Sequence, residues 1–319
     1  MFPSSVVYLH SDVRHKRVAD MTTIVRFTAQ ELIEAALSEN TRRAYAKWLR
    51  RYMEWARANG ANPATLQAIG GYLAALAEQG YKASAIAQAA AALRLWARAQ
   101  GLEAQTEPLR LLLRGIRRKI GAAVRQKRPL TVEIFERIPW RRGIIGLRDR
   151  ALLAVGLAGA LRLRELVALN LEDVEEEKEQ GYVITIRRSK TDQEGTGRQV
   201  AIPFGGRLRA GEALREWLKV RRQWGETGAL FTGFRYRKPA GRVTATAVQR
   251  LIKRYVAAMG LDPREFSGHS LRAGFVTSAA LRNASEAAIA AQTGHRSVAV
   301  LRRYIRRATI WQHNAVLML

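Results

Sequence analysis

Between positions 28 and 120 the apolar residues recur with the period of an α-helix, and the breaks between runs are short. Tyr45, Trp48, Leu49, Tyr52 and Ala56 fall at i, i+3, i+4, i+7 and i+11. Asn40 or Thr41 can cap this helix, and Asn59-Gly60 ends it. Upstream, Thr28 with Glu31 three residues later has the form of a capping box. Thr65 opens a further helix that runs to Gln79-Gly80. Ser84 to Ala99 is alanine-rich, with Ile86, Leu93 and Trp96 as its larger apolar members. Small side chains let helices approach closely, so this segment belongs near the centre of a bundle. Glu107 to Ile120 sets Leu109, Leu112, Leu113 and Ile116 inward and Arg110, Arg114, Arg117 and Arg118 outward. Such segments with such short connections predict an all-α domain.

The pattern changes after Ile120. Residues 121–129, GAAVRQKRP, are basic and aperiodic and read as a linker. A second domain begins at about Leu130. Thr131 caps a helix there, and Leu147 to Leu169 holds an apolar helix pair. Leu169 to Val174 reads as a short strand and Glu175 to Glu179 as a solvated acidic loop. From Gly181 to Arg188, Tyr182, Ile184 and Ile186 alternate with Val183, Thr185 and Arg187, the period of a strand. Arg198 to Pro203 reads as its hairpin partner across the turn RSKTDQEGTG. Helices are expected from Gly211 to Trp224 and from Thr244 to Met259, with a basic aromatic loop, FTGFRYRKPAGR, between them. The chain therefore reads as mainly α with a small antiparallel β-sheet. Residues 1–27 show no sustained periodicity and read as a flexible basic extension.

Lys and Arg number 54 against 27 Asp and Glu, a net charge of +27 spread along the chain. A field of this sign draws polyanions, of which nucleic acid is the commonest. A proteome biased toward Arg over Lys explains the choice of base, but not a two-to-one excess over acids. There is no cysteine, which excludes disulfides and thiolate metal sites and implies no oxidising compartment. The longest apolar run, Ala151 to Leu161, is too short to span a bilayer, and the first thirty residues lack a signal-peptide core. A cytoplasmic location in a bacterial, archaeal or phage setting is expected, with no membrane partner.

Chemistry-bearing side chains concentrate in residues 266–307. His269 and Arg272 are three apart, which puts them on one helical face. Gly294-His295 follows, then Tyr304 nine residues after that histidine, flanked by Arg302, Arg303, Arg306 and Arg307. A phenol, two imidazoles and several guanidiniums point to phosphate chemistry, because the guanidinium fork matches phosphate oxygens.

H-S-L-R, then G-H, then a tyrosine nine residues later resembles the active-site half of the tyrosine recombinase (phage integrase) family, with Cre-like recombinases as the suggested subgroup. R-L-R-E-L at 162–166 matches the family's arginine followed by x-x-Glu-Leu. Lys190 opens the hairpin turn where the family carries a catalytic lysine. The resemblance runs from about Thr28 to the end and supplies six reactive positions in order: Arg162, Lys190, His269, Arg272, His295 and Tyr304. One departure is His295, where Cre itself has tryptophan; histidine is common elsewhere in the family.

The resemblance implies a helical, SAM-like core-binding domain at 28–120 and an α+β catalytic domain at 130–319, forming a C-shaped clamp on DNA. It implies a tail at 308–319 that serves protomer contacts. The expected reaction is site-specific recombination. Tyr304 attacks a scissile phosphorus and forms a 3′-phosphotyrosine, releasing a 5′ hydroxyl. Arg162, Arg272 and His295 stabilise the transition state, and Lys190 protonates the leaving oxygen. His269 either accepts the tyrosine proton or holds a phosphate oxygen, and Glu165 orients its neighbours. No metal, ATP or other cofactor is expected. The implied partners are double-stranded DNA with an inverted-repeat site and three further copies of the chain, a homotetramer on two duplexes. DNA-phosphate contacts are expected from Arg42, Arg43, Lys47 and Arg50, from Arg114, Arg117 and Arg118, and from Lys127 and Arg128 in the acid-free linker. A type IB topoisomerase or hairpin telomere resolvase would use the same residues, and a non-catalytic DNA-binding protein is the third reading.

Overall fold

The computed structural model describes residues 37–121, 126–187, 197–236, 238–294, 301, 302, 304, 305, 308–310 and 316. The expected extension at 1–27 and the capping box at Thr28 lie outside them. The chain divides into two compact units, Met1–Val124 and Arg125–Leu319.

The first unit is a helical bundle: α1 (Glu39–Ala58), α2 (Leu66–Glu78), α3 (Ala83–Ala99) and α4 (Glu107–Ile120). The cap of α1 is Ser38, whose side chain accepts from the Thr41 N–H, and not Asn40 or Thr41. Ser38 wins because its backbone is extended there, leaving its hydroxyl to face the helix's unpaired N–H groups. Thr65 caps α2 through the Ala68 N–H. Trp48, Tyr52, Ile69, Tyr72, Leu73, Ile86 and Leu93 are buried together, with Ala89, Ala90 and Ala97 giving the close approach expected of α3. Tyr52 is fully enclosed and its hydroxyl donates to the Pro63 carbonyl at 2.6 Å. Each large side chain so enclosed contributes roughly 1.5–3 kcal/mol of burial free energy.

The second unit opens with α5 (Val132–Glu136), α6 (Gly143–Ala158) and α7 (Leu163–Ala168), followed by a 3-10 turn at Leu171–Asp173. Then come β1 (Val174–Glu177), β2 (Gly181–Ile186) and β3 (Arg198–Pro203), an antiparallel sheet in the order β1-β2-β3. Of the run Glu175–Glu179 expected to form a loop, Glu175–Glu177 belong to an edge strand, pairing Glu175 with Val183, and Lys178 and Glu179 form a turn. The three glutamate side chains remain in water, so the acidic composition hides a backbone ladder. Tyr182, Ile184 and Ile186 turn inward as their alternation predicts.

After β3 the chain runs through α8 (Ala210–Arg221), β4 (Thr232–Arg235), β5 (Lys238–Arg242), α9 (Ala245–Ala258), a 3-10 turn at Pro263–Glu265, α10 (His269–Ala280) and α11 (Glu286–Thr293). The basic aromatic loop is therefore a hairpin, β4 against β5, with Tyr236 86% exposed at its tip. Its root is held by Arg242, which donates to the Val167 and Leu169 carbonyls. Helix α6 is buried along most of its length and packs on α8, where Trp217 is enclosed and donates to the Leu230 carbonyl. The buried Asp149 accepts from Arg148 and from the Tyr255 hydroxyl, joining α6 to α9. A Cβ on Gly274 would stand 1.8 Å from the Leu130 carbonyl oxygen, so glycine is what lets α10 meet the entering chain. Among the described residues no helix is long and apolar enough to cross a membrane.

Candidate active site

Arg162 stands just before α7 with extended backbone (φ −71°, ψ 148°) and acts as its cap. The three-residue spacing predicts an arginine and a glutamate on one helical face. Instead, the Glu165 carboxylate grips both ends of the arginine, accepting from its main-chain N–H at 3.0 Å and from Nη1 at 2.6 Å. Glu165 is buried, so the pair is held in fixed geometry and not in the loose form of a surface ion pair. The turn before it runs through Ala160, a fully buried residue in the left-handed region at φ +48°.

His269 is the first residue of α10 and Arg272 lies one turn further on. A Cβ on Gly268 would stand 2.1 Å from Leu163 Cδ1, so the start of α10 lies directly against the start of α7 because residue 268 has no side chain. Arg272 is 3% exposed. Its Nη1 donates to the Ala160 carbonyl at 2.9 Å, and its Nη2 is buried with no hydrogen-bond partner among the described residues. An unpaired buried donor costs roughly 1–3 kcal/mol, more when charged, and an entering anion would recover that cost. Burial lowers the Arg272 pKa to about 10, with Arg162 and Arg198 adding to the effect and Glu165 opposing it; the group is still a cation at neutral pH. Partial desolvation and then the charges of Arg272 and Arg162 push His269 below the ordinary histidine value, which favours the neutral imidazole although the residue keeps contact with solvent.

The imidazole faces Tyr304. His269 Nε2 lies 2.8 Å from the Tyr304 hydroxyl, with ring centroids 6.0 Å apart. Tyr304 is half-buried at the edge of a small apolar cluster of Val276, Ala280, Ile289 and Leu301, which holds the ring and leaves the hydroxyl to the histidine. Arg302 turns to Glu286, its Nε 2.9 Å from Oε2. Lys190, His295, Arg303, Arg306 and Arg307 lie outside the described residues. Among those described, Arg162, Glu165, His269, Arg272 and Tyr304 meet in one place through contacts and mutual electrostatic influence.

Sequence reasoning missed Arg198. Its Nη2 stands 3.5 Å from Glu165 Oε2 and its Nη1 donates to the Gln292 carbonyl at 2.9 Å. One signal was available: at strand spacing, Arg198 falls on the same face as Val200 and Ile202, an arginine on an inward-facing row.

The residues expected to meet DNA divide into two groups. Lys47, Arg50, Arg117 and Arg118 are exposed. Arg43 pairs with Glu39, and Arg114 pairs with Glu107 at 2.8 Å, so part of each basic face is neutralised; Arg42 is exposed beside them. Lys127 and Arg128 are strapped to the second unit. Lys127 Nζ donates to the Arg264 carbonyl at 2.6 Å, and Arg128 pairs with Glu265 and covers the Phe266 ring. Among the described residues, no group of three or more His, Asp or Glu is placed to hold a metal ion.

A helical bundle followed by an α+β unit in which a tyrosine, a histidine and two arginines meet in one place defines a class. The chain belongs to the phage integrase family: the family's model matches residues 136–309, more than half of the chain. The family's N-terminal SAM-like domain matches residues 24–99. An integrase/recombinase xerD homolog of Selenomonas ruminantium is 32% identical over 308 residues, covering 90% of this chain and 87% of the relative. Tyrosine recombinase XerC of Syntrophus aciditrophicus is 27% identical over 296 residues, covering 85% and 88%. Among solved structures, the Tn1549 transposon integrase in complex with transposon right end DNA matches with a TM-score of 0.63 at 19% identity, covering 89% of this chain and 96% of that one. A lambda integrase dimer bound to a core site matches with a TM-score of 0.58 at 18% identity, covering 86% and 92%.

Proposed function

We propose that the protein is a site-specific DNA recombinase that cuts and rejoins strands through a 3′-phosphotyrosine link. The observation that carries this reading is the 2.8 Å contact of the Tyr304 hydroxyl with His269 Nε2. Beside it, the buried guanidinium of Arg272 has one nitrogen without a hydrogen-bond partner among the described residues. A phenol ionises near pH ~10 when free, so it needs a base to attack at neutral pH. His269 Nε2 takes that proton as Tyr304 Oη bonds to phosphorus and the bond to the 5′ oxygen breaks. Lys190 returns a proton to the leaving oxygen. Arg162 and Arg272 neutralise the charge that builds on the non-bridging oxygens, with His295 as a further donor, and Glu165 holds Arg162 in line. A 5′ hydroxyl from another strand reverses the step, so neither ATP nor a metal is required.

The relatives' names, recombinase and integrase, and the solved DNA complexes of structural neighbours support double-stranded DNA as the partner. A site with inverted repeats, a tetramer on two duplexes and a cytoplasmic setting complete the reading. The expected domains are the core-binding bundle at 28–120, the linker at 121–129 and the catalytic domain at 130–319. The tail from 308 onward docks on a neighbouring protomer. In support, Ile310 and Val316 are exposed, and a cavity of about 690 Å³ lined by Val132, Leu157, Leu208, Phe275 and Ala279 offers an apolar seat.

The test starts by selecting the cognate site from randomised inverted repeats bound by Tyr304→Phe. A nicked suicide duplex carrying that site should trap a covalent adduct with the wild-type protein, in excess chelator, and none with Tyr304→Phe. Absence of a wild-type adduct would sink the proposal, and products limited to relaxed circles or hairpin ends would favour a topoisomerase or resolvase. Deleting residues 311–319 should weaken assembly on paired sites more than binding to one site. Equal assembly would show that the tail docks on its own protomer.

A further inference from the structure

Arg198 begins β3 and pairs with Ile186 of β2. Its side chain is 20% exposed and makes three separate contacts. Its Nη2 faces Glu165 Oε2 at 3.5 Å, within ion-pairing range but with no hydrogen bond formed. Nη1 donates to the carbonyl of Gln292 in the last turn of α11 at 2.9 Å. Its outer stem lies against Gly294, where an added Cβ would stand 3.0 Å from both Cδ and Nε. Gln292 in turn donates from Nε2 to the Ala158 carbonyl at 2.8 Å and to the Ala201 carbonyl at 3.0 Å. The end of α6, strand β3 and the end of α11 are therefore tied together around one guanidinium. Gly294, in the left-handed region at φ +62°, immediately precedes His295 in the chain.

Glu165 is shared. The carboxylate that holds Arg162 also faces Arg198, so two cations meet one buried anion. A forked, planar cation can span Glu165 and Gln292 at once; an ammonium on a flexible stem cannot.

We propose that Arg198 is a positioning residue of the active site, holding Glu165, and through it Arg162, in register with the Gln292–Gly294 turn. The proposal rests on the reading that Tyr304 attacks a phosphodiester. Arg198 touches neither the scissile phosphate nor the phenol; it sets where Arg162 stands when charge develops on the non-bridging oxygens.

The test measures single-turnover adduct formation on the nicked cognate duplex for wild type, Arg198→Met, Arg198→Lys and Gly294→Ala. Each is run on a normal scissile phosphodiester and on a methylphosphonate, whose missing oxygen charge leaves Arg162 less to neutralise. Arg198→Met should slow adduct formation on the phosphodiester by about 100-fold, comparable to losing one transition-state donor, with duplex affinity unchanged. Most of that loss should disappear on the methylphosphonate. Arg198→Lys should recover part of the rate, and Gly294→Ala, which crowds the guanidinium, should lose rate in the same substrate-dependent way. A wild-type rate for Arg198→Met, or an equal loss on both substrates, would overturn the proposal. Should Arg198→Met fail to fold by thermal melting, Arg198→Lys decides by the same two criteria. An inactive wild type would instead overturn the reaction itself, so the two failures are distinguishable.

Discussion

The two units use arginine in opposite ways. On α1 and α4 most guanidiniums stand in water, some of them beside Glu39 or Glu107. In the second unit Arg272 is buried with a nitrogen that has no hydrogen-bond partner among the described residues, while Arg162 and Arg198 share the buried Glu165. A solvated charge is screened within about 10 Å at moderate salt, and its value lies in drawing a polyanion and releasing counterions. A buried charge has already been stripped of water and fixed in direction, so it acts at full strength on an oxygen placed before it. On the proposed function, one residue type supplies affinity in the first region and chemistry in the second.

Substitutions can break that comparison. The largest effect is expected at the buried end. Arg272→Ala should reduce single-turnover adduct formation on the order of 10³-fold with duplex affinity nearly unchanged. A collapse of affinity instead would show that Arg272 belongs with the surface arginines. His269→Ala should cost on the order of 10²-fold. The sign of its pH dependence follows from the downward shift of His269: the base form is neutral, so the wild-type rate holds down to the ordinary histidine pKa of about 6.5 and falls only below it. The variant should lose that acid limb, and a wild-type limb lying above the ordinary value would remove His269 from the role of base.

The smallest effect is expected in the first unit. Arg117→Ala combined with Arg118→Ala should weaken duplex binding and reduce the slope of log affinity against log salt by about 1 for each phosphate no longer neutralised. The adduct rate at saturating protein should not move. Arg43→Ala, already neutralised by Glu39, should change the slope less. A drop in saturated rate from the Arg117 and Arg118 changes would mean that the surface charges also align the substrate.

Much of this was legible along the chain. The stripe from Tyr45 to Ala56, the alternation from Tyr182 to Ile186 and the helix starts at Thr65 and Thr244 each depend on residues within a turn or two, and all reappear in the structure. Other features were hidden because a distant partner, and not the local pattern, decides them. Val174–Glu177 is a strand because β2 pairs with it, although its side chains suit a loop. The basic aromatic segment is a hairpin whose root Arg242 finds carbonyls at the end of α7. Asn40 and Thr41 were both reasonable caps for α1, but only backbone geometry shows that Ser38 presents its oxygen correctly.

The sequence by itself determined which reactive groups exist and in what order, together with the helical and strand periods that carry them, since both are properties of near neighbours. Tertiary structure alone decided the rest. The His269–Tyr304 contact spans 35 residues, the Arg272–Ala160 bond 112 and the Arg198–Gln292 bond 94. Whether a guanidinium is solvated or left buried with a free nitrogen depends on what packs over it, and no local spacing encodes that.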